Sequence, residues 1–373
     1  MSDPAIHLDA PNIGRLEKER VCAAIDSGYV STFGPLVGEF ERQFAAVAGV
    51  SRAVATSSGT AALHVALHVL GVGPGDEVIL PATTFAASLH AVMHAGACPV
   101  IVDVDPATWC LSPEAVKAAI SPRTRAVMPV HLYGNVCDMP AIMAIAQAAG
   151  IYVVEDATEA LGASIAGRQA GTFGDIGCYS FNGNKLITTG AGGMLVARSS
   201  AILDRVNYLI NQANPREGME GFLEVGFNYR MPNLNAALGM AQLERFSGFL
   251  KLKKEFHGIY RESLGAGASG RLQGVYPDAD PSWWFTAAVF GSAAEALTVA
   301  GGLKARGIPS RKLFRPLHGF PYAGSFRRGS CAAAEMLYER GLCLPSSTLN
   351  SQADIAFVCK VIMEALAPKV EKC

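Results

Sequence analysis

The chain of 373 residues contains no apolar run of the roughly 20 residues that a membrane-crossing helix needs. Its first residues, Met1–Arg20, lack the basic-then-apolar layout of a secretory signal. Charge is sparse. Only 17% of residues carry it, the net is −1, and Lys and Arg are spread along the chain, so no basic face for nucleic acid is expected. Nine cysteines occur without a CxxC or a paired spacing, which leaves no sequence basis for a zinc site or a disulfide framework. They read as small buried hydrophobes in a reducing compartment. These absences describe a cytoplasmic globular protein with no metal, no membrane and no nucleic-acid partner. Internal repeats and low-complexity segments are missing as well.

Apolar residues are plentiful, making up half of the chain, enough for extensive burial including burial in an oligomer interface. Short apolar runs at Ala53–Ser57, Glu77–Leu80, Pro99–Asp103, Ala126–Val130 and Tyr152–Glu155 read as strands separated by helix-like segments such as Ala61–Leu70. That alternation predicts an α/β chain with a mainly parallel sheet covered on both faces. Further helices are expected over residues 13–27, Val37–Val47, Ala201–Asn211 and Asn233–Phe246. The texture changes near residue 247. Lys251, Lys253 and Lys254 read as a solvated helix face, followed by helix, a strand-like Trp284–Phe290, and the loops PLHGFP and LPSS. A large domain over residues 1–246 and a smaller C-terminal α+β domain over residues 247–373 are therefore expected.

Chemistry concentrates between Phe173 and Val196. The run Ile176–Phe181 reads as a buried strand, Asn182-Gly183-Asn184 as a tight loop, and Met194–Ala197 as a return strand. Lys185 sits in the loop. It is either a solvated loop lysine or, walled by the two apolar strands, an amine of lowered pKa able to form a Schiff base. Ser58-Gly59-Thr60 lies between a strand and a helix, which makes either an N-cap or a phosphate site at a helix N-terminus. Phe85 follows the strand end at Pro81 and is either core or an aromatic platform for a flat ring. Asp156 emerges where the apolar strand Tyr152–Glu155 stops. It could cap a helix, or hold a proton on a heterocyclic nitrogen. Tyr29 and Phe33, in the turn-rich connector Tyr29–Pro35, either pack and cap or line a pocket.

Six segments, SGTAALHVAL, PATTFAAS, VHLYG, VVEDATEALGA, CYSFNGNKLITTGAGGML and NYRMPNLNAALGMAQL, occur in one order across the chain. In that order they resemble the pyridoxal-phosphate (PLP) sugar aminotransferases of the DegT type, over roughly residues 7–365. The resemblance implies the fold-type-I architecture, a large PLP-binding domain with a mostly parallel sheet plus a smaller C-terminal α+β domain. It implies that Lys185 carries pyridoxal 5′-phosphate and shuttles the proton, and that Asp156 pairs with the pyridine nitrogen. Phe85 matches the residue stacked on the ring, and Gly59, Thr60 and Ser180 match the phosphate contacts. Asn228 matches an asparagine supplied by the neighbouring subunit, which implies a homodimer with shared active sites. His318 falls in a block similar to the family's substrate-side loop, and Tyr29 and Phe33 are further substrate-binding candidates. Glu159 stands where the family usually has Gln or His, and Ala191 replaces an acidic residue. The implied reaction moves an amino group from L-glutamate to a nucleotide-linked keto sugar. The form SFNGNK followed by TTG resembles enzymes that aminate C4 of a 4-keto-6-deoxy sugar, for surface-polysaccharide or related glycan biosynthesis. Amination at C3, a PLP-dependent dehydratase and a non-catalytic regulator on the same fold are the alternatives, and Lys185 speaks against the dehydratase, whose relatives carry histidine there.

Overall fold

Uninterrupted apolar runs bury on both faces, and here they build the central sheet. The computed structural model describes residues 6–214, 221–265 and 270–367. Helices α1 (Arg15–Asp26) and α2 (Leu36–Ala48) precede β1 (Val54–Thr56), α3 (Gly59–Val69) and β2 (Glu77–Pro81). Next come α4 (Ala86–His94), β3 (Cys98–Val102), α5 (Pro113–Ala119), β4 (Thr124–Val127), α6 (Met139–Ala149) and β5 (Tyr152–Asp156). Short strands β6 (Ser164–Ile165) and β7 (Arg168–Gln169) lead to β8 (Ile176–Ser180), β9 (Gly193–Ala197), α7 (Ser200–Ile210) and α8 (Asn233–Gly265). The remainder comprises β10 (Gly270–Leu272), β11 (Ala279–Asp280), β12 (Ala287–Phe290), α9 (Ala293–Ala305), β13 (Arg311–Lys312), β14 (Arg327–Arg328), α10 (Ala332–Arg340), β15 (Gly341–Cys343) and α11 (Gln352–Leu366).

The main sheet has eight strands in the order β1-β9-β8-β5-β4-β2-β3-β14. Every neighbour from β8 to β14 is parallel, while β9 runs antiparallel between β8 and β1. The expected mainly parallel α/β sheet is thus present. Because β9 reverses between them, β1 and β8 point the same way as β2 and β5. The chain leaves all four strands at one edge of the sheet, carrying Ser58, Ser180, Phe85 and Asp156 to that edge. Glycine is required at 193 for this closure, since a Cβ there would lie 2.5 Å from the Ser58 carbonyl oxygen. A four-stranded antiparallel sheet, β10-β12-β15-β13, and a small sheet, β11-β6-β7, complete the architecture. Among the described residues no helix is long and apolar enough to cross a membrane.

Three expectations change in the C-terminal region. Helix α8 does not stop at Phe246; it continues unbroken to Gly265, because Phe249 is buried and holds the helix through Gly248. Lys253 is not on a solvated face but is buried, its Nζ donating to the carbonyls of Trp284 (2.8 Å) and Ser346 (2.5 Å). The strand expected from Trp284 begins only at Ala287. We propose that the lobes divide along α8 near residue 247. Up to Phe249 the helix packs Met240, Leu243 and Phe249 with Phe40 and Phe181, and from Phe256 onward it packs Phe256, Tyr260 and Leu264 with Phe290 and Ile362.

Candidate active site

The strand ends surround a cavity of about 280 Å³. At one end, α3 begins at Gly59, and Ser58 Oγ accepts from the Ala61 N–H (3.1 Å), so Ser58 is the N-cap. A helix leaves its first N–H groups without intrahelical partners, and its dipole favours an anion there. Ser180, at the end of β8, faces this turn. A Cβ on Gly59 would sit 2.8 Å from Ser180 Cβ and 3.1 Å from its Oγ, so only glycine lets the hydroxyl approach the helix end. Gly59, Thr60 and Ser180 all line the cavity. Amide donors, a dipole and hydroxyls on one concave surface fit a phosphate.

Asp156 closes β5 and is almost wholly buried, at 2% exposure. Its Oδ2 accepts from Ser88 Oγ (2.7 Å), and its Oδ1 accepts from Thr158 Oγ1 (2.7 Å) and the Thr158 N–H (3.1 Å). The residue therefore caps no helix; it closes a local turn and presents a fixed carboxylate to the cavity. Its backbone is tied on both sides, N–H to the Pro129 carbonyl (2.8 Å) and carbonyl to the His131 N–H (3.0 Å). Beneath it, buried Glu155 accepts from His131 Nε2 (2.9 Å) and from the Gly171 and Gly174 N–H groups. The Cys137 N–H donates to His131 Nδ1 (3.2 Å), which assigns the ring proton to Nε2. Phe85 is 59% exposed on the cavity wall, its ring centroid 5.7 Å from that of Phe314. It is an open aromatic platform and not a core residue.

Lys185 follows β8 in a turn in which its N–H donates to the Asn182 carbonyl (3.0 Å). Its side chain is 13% exposed, with Nζ 3.7 Å from Glu159 Oε1 and 3.8 Å from the centroid of the Trp284 ring. Burial pushes the amine below its ordinary pKa, while the Glu159 and Asp156 carboxylates pull the other way. Burial likewise raises the Glu159 carboxyl, against the opposing charge of Lys185. Glu159 is held by the Tyr133 N–H, which donates to Oε2 (2.8 Å). Trp284 is held by its own Nε1, which donates to the Asn184 carbonyl (2.6 Å), one residue before the lysine. The result is a partly desolvated amine between an aromatic face and a carboxylate, the setting in which a lysine becomes a nucleophile.

The cavity thus gathers Lys185, Asp156, Glu159, Gly59, Thr60, Ser180 and Phe85, with Ala191 on its rim. Other candidates lie elsewhere in the chain. Asn228 is exposed, paired by its backbone with Asn211, and does not line the cavity. Tyr29 and Phe33 line a separate hollow of about 620 Å³ with Asn207 and Arg230. His318 lies in a single 3₁₀ turn, Leu317–Gly319, with Nε2 3.1 Å from Glu335 Oε1, also outside the cavity. Sequence reasoning missed Ser88, Thr158, Trp284 and Arg311, all of which line it. Ser88 and Thr158 stand inside two of the recognised segments and could have been found there; Trp284 and Arg311 come from the chain beyond α8 and carry no local signal.

These residues fit pyridoxal phosphate: an anion cradle, an open aromatic face, a fixed buried carboxylate and an amine of lowered pKa share one cavity. The model of the DegT/DnrJ/EryC1/StrS aminotransferase family matches residues 11–363. The chain is 38% identical to the GDP-perosamine synthase of Caulobacter vibrioides over 371 residues, covering 98% of this chain and 100% of that one. It is 36% identical to a UDP-N-acetyl-3-dehydro-alpha-D-glucosamine 3-aminotransferase of Acidithiobacillus ferrooxidans over 332 residues, 87% of each chain. Its fold matches Spr1654 of Streptococcus pneumoniae, solved in a PMP-form, with a TM-score of 0.91 at 26% identity over 97% of this chain and 99% of that one. The PLP-form of the same protein matches with a TM-score of 0.90. A cavity built for this cofactor and a family match along nearly the whole length lead to one conclusion: the chain belongs to the DegT/DnrJ/EryC1/StrS family of PLP-dependent aminotransferases.

Proposed function

We propose that this aminotransferase moves an amino group from L-glutamate to the keto carbon of a nucleotide-linked sugar, at C4 of a 4-keto-6-deoxy sugar, for glycan biosynthesis. The observation that carries the reading is the Lys185 amine, desolvated and in the same cavity as Asp156 and the phosphate cradle. Bound pyridoxal phosphate supplies an electron sink for the bonds at the substrate carbon. The protein's part follows from its residues. Gly59, Thr60 and Ser180 anchor the phosphate, Phe85 supports the ring, and Asp156 keeps a proton on the ring nitrogen. Lys185 Nζ holds the cofactor at rest and, once released, carries the proton to and from the substrate carbon. Glu159 lies within 3.7 Å of that nitrogen and steadies its charged form.

The C4 assignment rests on the SFNGNK loop and on the GDP-perosamine synthases among the relatives, at 38% and 36% identity. Amination at C3 is the second reading, favoured by the 3-aminotransferase at 36% identity. Asn228 is exposed outside the cavity of its own chain, as a residue that completes the partner's site would be, and we read the active unit as a homodimer. Offering 4-keto and 3-keto 6-deoxy nucleotide sugars with L-glutamate and locating the new C–N bond by NMR tests the assignment. Amination at C3 alone overturns it.

A further inference from the structure

Lys253 is a buried amine that the reading above does not use. It sits on α8 at 5% exposure, and both partners of its Nζ are carbonyl oxygens, Trp284 at 2.8 Å and Ser346 at 2.5 Å. An amine is costly to bury unless its donors are met, so the site is built around those two carbonyls. They belong to neighbouring stretches of chain, joined by the Thr286 N–H to Ser346 Oγ (3.0 Å) and the Leu344 N–H to the Thr286 carbonyl (2.9 Å). One turn further along α8, His257 stacks on Trp283, ring centroids 3.6 Å apart and planes 2° from parallel. Residues four apart share a helix face, so α8 grips Trp283 and Trp284 from one side. Trp283 is held at φ +53°, in the left-handed region, a costly conformation for a residue with a side chain. Without its anchors this turn would relax, and Trp284 would move with it.

Trp284 carries the restraint into the cavity. Its indole N–H donates to the Asn184 carbonyl (2.6 Å), and its ring centroid lies 3.8 Å from Lys185 Nζ. That ring face both attracts the charged amine and keeps water from it. The attraction moves a lysine pKa by about 0.4–1.5, whereas desolvation can move it by several. Exclusion of water therefore outweighs the attraction, and displacing the indole would return the Lys185 amine toward its ordinary 10.5. We propose that Lys253 is a positioning residue for the reaction: from α8 it fixes the Trp283-Trp284 turn and so keeps the indole over the Lys185 amine. This rests on the reading of Lys185 given above, and on neither the amino donor nor the sugar.

The test follows capture of pyridoxal phosphate by the cofactor-free full chain, read by absorbance across pH, so that the midpoint reports the Lys185 amine without turnover. The charged groups acting on that amine, Glu159, Asp156 and Arg311, are the same in every variant. Lys253→Met removes the donors but keeps the buried chain, and should raise the midpoint by about half a pH unit or more. Trp284→Ala should raise it at least as far, and adding Lys253→Met to Trp284→Ala should move it no further, because both act through one side chain. Leu264→Ala opens the same helix's core beside Phe256 and Tyr260 and should leave the midpoint at its native value. A native midpoint in Lys253→Met overturns the proposal. So does a lowered one, or a rise in the Trp284→Ala background as large as in the native one. A rise in Leu264→Ala equal to that in Lys253→Met also overturns it, since general loosening would then account for both. If Lys253→Met does not fold, judged by circular dichroism, Lys253→Gln decides: its side chain is one bond shorter and cannot reach both carbonyls, so a native midpoint there overturns the proposal. Borohydride trapping of the native protein separates the two levels. A label on another lysine overturns the reading of Lys185 together with this role, whereas a Lys185 label with unmoved midpoints overturns the role of Lys253 alone.

Discussion

Replacing Ser88 with alanine isolates the arrangement that fixes Asp156. The hydroxyl donates to Asp156 Oδ2 at 2.7 Å and lies 3.0 Å from Thr84 Oγ1, with all three side chains buried. A hydrogen bond to a charged group contributes about 1.5–3 kcal/mol net, and leaving the buried carboxylate oxygen without its donor adds a further deficit. The Ser88 position borders the cavity, so water can enter the vacated space and offset part of this. The expected loss is about 2 kcal/mol, and both bonds exist without cofactor, so it should appear in urea denaturation of the cofactor-free protein. Thr158→Val removes the 2.7 Å bond on the other carboxylate oxygen. The two changes act on one carboxylate, so the double variant should depart from the sum of the singles. A Ser88→Ala protein whose stability stays within about 0.5 kcal/mol of native would refute the claim that this network holds Asp156.

Three further outcomes follow from the same geometry. Glu159→Gln removes the carboxylate that favours the charged Lys185 amine, so the amine should fall further below its ordinary pKa. The pH profile for cofactor capture by the cofactor-free protein should then shift to lower pH; an unchanged or raised profile counts against the ion pair. Burial pushes the Lys253 amine from 10.5 down to about 7. The unfolded chain therefore binds one more proton between those values, so stability rises with pH across the window and is lost as pH falls through about 7. Lys253→Met should flatten that dependence in urea melts at pH 7 and 9.5. Finally, Lys185→Ala and Asn228→Ala proteins, each inactive alone, should regain part of the activity when refolded together, and a fully active monomer by light scattering would end the shared-site reading.

The strands and most of the cavity were legible because each depends on neighbours in sequence. Val78–Leu80 and Val153–Val154 are continuous apolar runs, and Gly59, Phe85, Asp156 and Ser180 stand at or just past strand ends, where such sheets place ligands. What stayed hidden depends on distant packing. Phe246-Ser247-Gly248 looks like a helix end, yet α8 passes through it because two separate cores grip its halves. Lys253 has the composition of a surface residue, and only the carbonyls of Trp284 and Ser346 draw it inside. The pair Arg327-Arg328 has no strand character, yet it extends the main sheet beside Val100 and Ile101 as β14. Trp284 and Arg311 reach the cavity from positions about a hundred residues or more beyond Lys185, where no local pattern announces them. Tyr29, Phe33 and Asn228 fall outside the cavity of the single chain, and of the three only Asn228 has a place in the proposed dimer.

The most direct test of the account is to fix the cofactor in place. Borohydride reduction of the holoenzyme, followed by proteolysis and mass spectrometry, identifies the lysine that carries it. The account requires a single label, on Lys185, that is lost when the enzyme is first exhausted with L-glutamate, because the amino donor frees that amine. A label on any other lysine, buried Lys253 included, or a Lys185 label unaffected by L-glutamate, would contradict it.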